Sequence, residues 1–133
     1  MSYIRKFFLT MYIYLLISYY RRLVSSEINW GDLEKKLKKM RREEATVDNA
    51  AYTHELVKMV HQIGAYQRNL SNSCLVLSIT AFHLLQKSNL NATFCIGVQK
   101  YPIFYSHAWI EHKENPIHED HKNIKKLTKI LEV

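Results

Sequence analysis

The sequence predicts an α+β fold in which helices come first and an antiparallel sheet follows. Three observations carry this: helical spacing of apolar residues before position 70, a segment at 74–87 that is apolar nearly all round, and two strand-like segments after position 91. With 133 residues, 47% of them hydrophobic, the chain suits one domain with a helical appendage and can bury a core. Only three Gly and two Pro are present, which excludes collagen-like and disordered chains.

Composition also narrows the chemistry. Cys74 and Cys95 are the two cysteines, and they form no CxxC. They cannot build a disulfide framework, so a reducing, cytoplasmic compartment is expected, where any thiol role is catalytic. The net charge of +7 is skewed: residues 1–50 hold ten basic and six acidic residues, whereas residues 101–133 hold five of each. No zinc-finger, RRM or KH signature accompanies the basic residues, so no nucleic-acid partner is expected.

Residues 7–20 form an uncharged run of 14 between Arg5-Lys6 and Arg21-Arg22. As a helix it would be about 21 Å long, short of the roughly 20 apolar residues that span a bilayer. Tyr19-Tyr20-Arg21-Arg22 stands where a signal peptide would need small residues for cleavage. Three readings stay open: a helix packed on the domain or a partner protein, a helix lying peripherally on a membrane, and, least favoured by its length, a true span. A second helix is expected from Asp32 to Arg42, with Leu33, Leu37 and Met40 on one side. Its Lys35, Lys36, Lys38 and Lys39 form a solvated face that would also suit an acidic peptide or lipid headgroup. Residues 43–49 break the periodicity, which divides the chain into a helical, docking N-terminal region at 1–49 and a main domain at 50–133.

In the main domain, Leu56, Met59, Val60 and Ile63 mark a helix over 51–66, and residues 68–73 supply a loop rich in capping side chains. The apolar segment from Cys74 to Lys87 is then a buried central helix, ended by Asn89 in a left-handed cap. Strands follow at 92–98 and 104–112, with a turn at 99–103 between them. Tyr105, His107, Trp109 and Glu111 share one face of the second strand. A tight connection at 113–115 leads to a third short strand, Pro116 to Asp120.

Cys74 opens a helix, where unsatisfied amides and the positive end of the dipole favour a thiolate and can hold an oxyanion. The same residue read as a small buried apolar side chain is equally open from position alone. Nucleophilic catalysis needs a base beside the thiol and a third group that orients the base. Cys74, His107 on the second strand and Asp120 on the next supply all three, with Glu119 as the reserve for the third place. Cys95 lies within a strand and is expected in the core. His112, His118 and His121 with Glu111, Glu119 and Asp120 match no recognised metal spacing, so no metal site is expected.

From Cys74 to Asp120 the chain resembles the transglutaminase-like leader peptidases of bacterial lasso-peptide biosynthesis. The resemblance rests on Cys74-Leu75-Val76-Leu77-Ser78, Leu84-Leu85, Ile96-Gly97-Val98, His107-Ala108-Trp109-Ile110-Glu111 and Asp120, about fifty residues in the family's order. It implies a transglutaminase-like, papain-like cysteine protease core. It further implies Cys74 as nucleophile, His107 as general base and acid, and Asp120 as the orienting carboxylate. The implied reaction removes the leader from a ribosomally made precursor peptide. The implied partners are that precursor, a separate leader-recognition protein and an ATP-dependent lasso cyclase, and no cofactor is implied. The chain departs from the family pattern at Leu77, at Asn89 and Asn91, and at Lys113-Glu114-Asn115.

Overall fold

A computed structural model describes residues 2–25, 29–41, 47–66, 74–100, 104–119 and 121–133. Four helices precede a four-stranded antiparallel sheet, and a short fifth helix lies before the last strand. The helices are α1 (Tyr3–Ser25), α2 (Trp30–Met40), α3 (Ala50–Tyr66), α4 (Cys74–Lys87) and α5 (His121–Lys125). The strands are β1 (Thr93–Gln99), β2 (Tyr105–His112), β3 (Asn115–Pro116) and β4 (Thr128–Glu132), ordered β3-β2-β1-β4 across the sheet. No helix among the described residues is long and apolar enough to cross a membrane.

The central position of α4 follows from its sequence. Ile79, Ala81, Phe82 and Leu85 are fully buried, and the helix meets α1 and α3 on one side and the sheet on the other. One core runs from Ile13 and Ile17 of α1 through Leu56 and Val60 of α3 to Phe94 and Ile110 of the sheet. Gly64 lets α3 approach closely, because a Cβ there would lie 2.6 Å from Leu77 Cδ2. Leu77, one of the departures from the family pattern, is thus a packing residue against α3.

The end of α4 is set by Asn89, whose φ of 58° is the left-handed cap expected of it. The Leu90 amide donates to the Leu85 carbonyl and the Asn89 amide to the Gln86 carbonyl, the paired bonds of a Schellman motif. The backbone of Val47 then pairs with residues 89–91, tying the entry to α3 to this corner. In α2, Leu33 and Leu37 are buried, and Arg41 just beyond it donates to the carbonyls of Ala92 and Val133.

Two differences from the sequence reading concern the end of the chain. The third strand is only Asn115–Pro116; the Ile117 amide still donates to the Ile110 carbonyl, residues 117–119 form a bend, and Asp120 lies outside the described residues. Lys113 and Glu114 both have positive φ (50° and 67°), as a two-residue hairpin of the type I′ kind requires. The second difference is β4, which pairs antiparallel with β1 and closes the sheet. Its Thr128 to Glu132 carries Lys129 and Glu132, so it gives no clear alternation from sequence.

Candidate active site

Cys74 is the first residue of α4 and is half-buried. Its position follows from the helix start, and its alignment with the sheet follows from Ser78 one turn later. Ser78 Oγ donates to the Ala108 carbonyl at 3.0 Å in the interior, pinning α4 against β2 beside His107. His107 is on β2 opposite Gly97 of β1, with its ring near enough to the Cys74 thiol for each to shift the other's protonation. Nε2 of the same ring lies 2.7 Å from Glu119 Oε1, which leaves Nδ1 for the thiol.

The site favours a charged pair. Hydrogen bonds to Cys74 and then to Glu119 raise the His107 pKa to about 10, against the opposing effect of burial. Burial pushes the Cys74 thiol up, but the His107 hydrogen bond, the Ala108 and Leu75 amides and the His107 charge together hold it below the ordinary thiol value. Both shifts favour thiolate with imidazolium over thiol with imidazole. The first-turn amides of α4 lack helical acceptors, which suits them to an oxyanion.

Aromatic packing fixes the imidazole plane. The Tyr105 and Trp109 rings are each near-parallel to it, with centroids 6.1 Å away on either side. Trp109 is buried and Tyr105 is half-exposed, so one ring is a floor and the other a wall. Gly97 makes room for that floor: a Cβ there would lie 2.8 Å from Trp109 Cη2 and 2.9 Å from Leu127 Cβ. The Trp109 indole N–H donates to Glu111 Oε2 at 2.8 Å, and Lys129 Nζ donates to Glu111 Oε1 at 3.0 Å. The buried Glu111 carboxylate thus locks the indole, and the indole in turn braces His107.

Of the expected triad, Cys74 and His107 are brought together, and Asp120 lies outside the described residues. The reserve candidate, Glu119, is the carboxylate on His107. Cys95 is fully buried in a small cluster with Trp109 and Ile124, and burial with the nearby Glu111 carboxylate pushes its thiol up to about 12. Cys95, Glu111 and Glu132 come close enough to resemble a metal cluster, but Lys129 Nζ already stands 3.0 Å from Glu111 and 3.5 Å from Glu132.

Sequence reasoning missed His61. It sits on α3, donates from Nδ1 to the Val57 carbonyl at 2.9 Å, and holds its ring 4.7 Å from that of His118. Burial lowers its pKa, and His118 and His107 add to the effect. No sequence-local signal marks it, because its partner is 57 positions away on a different element. His118 itself has a φ of 57°, a left-handed conformation that turns the chain immediately before Glu119.

A thiol at a helix start, an imidazole near it and a carboxylate behind the imidazole are the kind of groups that cysteine proteases and acyltransferases use. The family model described as the transglutaminase-like superfamily matches residues 15–132, and the chain belongs to that superfamily. No curated protein and no solved structure matches the chain.

Proposed function

We propose that the protein is a cysteine peptidase that removes the leader from a ribosomally made lasso precursor peptide. The observation that supports it most is His107, coupled to the Cys74 thiol on one side and hydrogen-bonded to Glu119 on the other, set among the motifs that resemble the leader peptidases. Cys74 is the nucleophile, His107 the general base and acid, and Glu119 the carboxylate that orients His107 and stabilises its charge. Asp120, the carboxylate the resemblance implies, remains the competing assignment for that last role.

In this mechanism the Cys74 thiolate attacks the scissile carbonyl, and the new C–S bond places the oxyanion toward the first amides of α4. Collapse of the tetrahedral species breaks the C–N bond as the His107 imidazolium protonates the leaving amine. Neutral His107 then takes a proton from water, whose oxygen attacks the thioester. Release of the acid regenerates thiolate and imidazolium. An amine admitted in place of water would give transfer instead of hydrolysis, by the same steps.

The working partners in this reading are a separate leader-recognition protein and an ATP-dependent cyclase that closes the ring, in the cytoplasm of a bacterium. The test is mass spectrometry of the precursor peptide incubated with the chain, with and without the recognition protein, alongside Cys74→Ala. Cleavage at one bond that is lost in Cys74→Ala supports the peptidase. A peptide left intact with the recognition protein present rejects it, and a mass gain from an amine would establish transfer.

A further inference from the structure

α1 has two faces of opposite fate. Ile13, Ile17 and Tyr20 turn inward and are buried, with Leu9, Tyr12 and Leu16 packed beside them. At 100° per residue, Ile4, Phe7, Phe8, Met11, Leu15 and Tyr19 fall on the other side, and all are exposed. Phe7, Phe8 and Leu15 each show more than 60% of their surface (62%, 65% and 61%). The stripe runs about 23 Å along the helix. The polar side chains near it are turned back on the backbone: Ser18 Oγ donates to the Tyr14 carbonyl and Thr10 Oγ1 to that of Lys6. Such a surface is far more apolar than a solvated helix face needs to be.

The charges that α1 itself carries are all of one sign. α1 contains no acidic residue, and it carries Arg5-Lys6 near its start and Arg21-Arg22 near its end. Lys36 of α2 reaches the same end, with Nζ 3.2 Å from Tyr19 Oη and 5.2 Å from the centre of the Tyr19 ring. A second copy of the chain is a poor occupant. Pairing two such helices parallel sets basic start against basic start, and pairing them antiparallel sets basic start against basic end. The matching surface is apolar across some 23 Å and negative at both margins.

We propose that the outward face of α1 docks in the plane of an anionic lipid bilayer. Its aromatic and aliphatic side chains enter the acyl boundary, while Arg5, Arg22 and Lys36 meet the headgroups. The thiol site takes no part in this contact, so docking and catalysis are separable.

The test is sedimentation of the full chain with phosphatidylcholine vesicles that contain or lack a quarter of phosphatidylglycerol, at low salt. Binding to the anionic vesicles is expected, falling about fivefold for Arg22→Gln and at least about tenfold for Phe7→Ser/Phe8→Ser. Both variants alter outward side chains, and circular dichroism together with an unchanged Cys74 alkylation rate would show that they are folded. Cys74→Ala should bind as the wild type does. Absence of binding to anionic vesicles, or binding unaffected by Phe7→Ser/Phe8→Ser, would overturn the proposal. So would a concentration-dependent dimer, abolished by Phe7→Ser/Phe8→Ser, in a chain that ignores both kinds of vesicle.

Discussion

Replacing Glu119 by Gln removes a charge from behind His107 while keeping the size of the side chain. The His107–Glu119 contact is 2.7 Å long, and the two side chains are only 16% and 18% exposed, so solvent screens it weakly. A charge-assisted hydrogen bond in such a setting is worth about 1.5–3 kcal/mol. Losing it shifts the thiolate–imidazolium pair toward thiol and imidazole by roughly ten- to a hundredfold, at 1.36 kcal/mol per factor of ten. Alkylation by iodoacetamide reads this directly, since only thiolate reacts. Cys95 stays silent because it is buried and its thiol is pushed up to about 12.

The expected outcome is a single alkylation at Cys74 that slows by up to that factor in Glu119→Gln at pH 6–7. It should recover as pH rises and the thiol ionises without help. His107→Ala should slow it at least as much. Asp120→Asn should leave it near the wild-type rate. Wild-type alkylation by Glu119→Gln across pH 5–9, with slow alkylation by Asp120→Asn, would refute the assignment of Glu119.

The remaining predictions use the same few contacts. Peptide hydrolysis should fall at both ends of the pH range: at low pH as Cys74 gains a proton, and at high pH as His107 loses its proton near 10. Alkylation should fall only at the low end, because above pH 10 the thiolate persists while the imidazolium that protonates the leaving amine does not. Gly97→Ala should cost about 1–3 kcal/mol in thermal unfolding and change Trp fluorescence, because the new Cβ meets Trp109 and a Leu127 Cβ that cannot swing away. Lys129→Met should destabilise by roughly 2 kcal/mol in a urea titration by leaving the buried Glu111 half-paired, the solvent access of Lys129 keeping it below a fully buried pair. Glu114→Gly should stabilise by about 1 kcal/mol in the same titration, since the φ of 67° suits glycine and the side chain is exposed.

The order of elements through β2 was legible because each rests on local chemistry. The range of α4 was readable to the residue: its apolar sequence stops at Lys87, and Asn89 tolerates the left-handed turn that ends it. The shared face of Tyr105, His107, Trp109 and Glu111 followed from strand alternation and survives in the stacked rings and the indole–carboxylate bond. The motif residues now have separate physical tasks. Ser78 clamps helix to strand, Gly97 yields space to the indole, and Glu111 anchors it. His61 and β4 were not legible, because what defines them is contact with distant elements: His61 with a turn near the other end of the domain, β4 with a strand about thirty residues earlier.

The resemblance and an expected strand through Asp120 place that residue beside His107, with Glu119 in reserve because only one of two strand neighbours can face the ring. A strand from Pro116 onward would point His118 and Asp120 one way and Glu119 the other. The strand stops at Pro116, however, and His118 adopts a left-handed conformation, so parity no longer carries through. A long-range contact lies beside Glu119: the His118 ring rests 4.7 Å from that of His61 on α3, across the domain. If that contact holds the turn, a helix remote in sequence helps to set how Glu119 meets His107. It also gives the argument a test, because His61→Ala removes the ring and His61→Phe keeps one. If the ring contact holds the turn, at about 1 kcal/mol for such a pair, Cys74 alkylation near neutral pH should slow several-fold in His61→Ala and stay close to wild type in His61→Phe. Equal rates in all three proteins would mean that Glu119 is held by its own hydrogen bond to His107 alone.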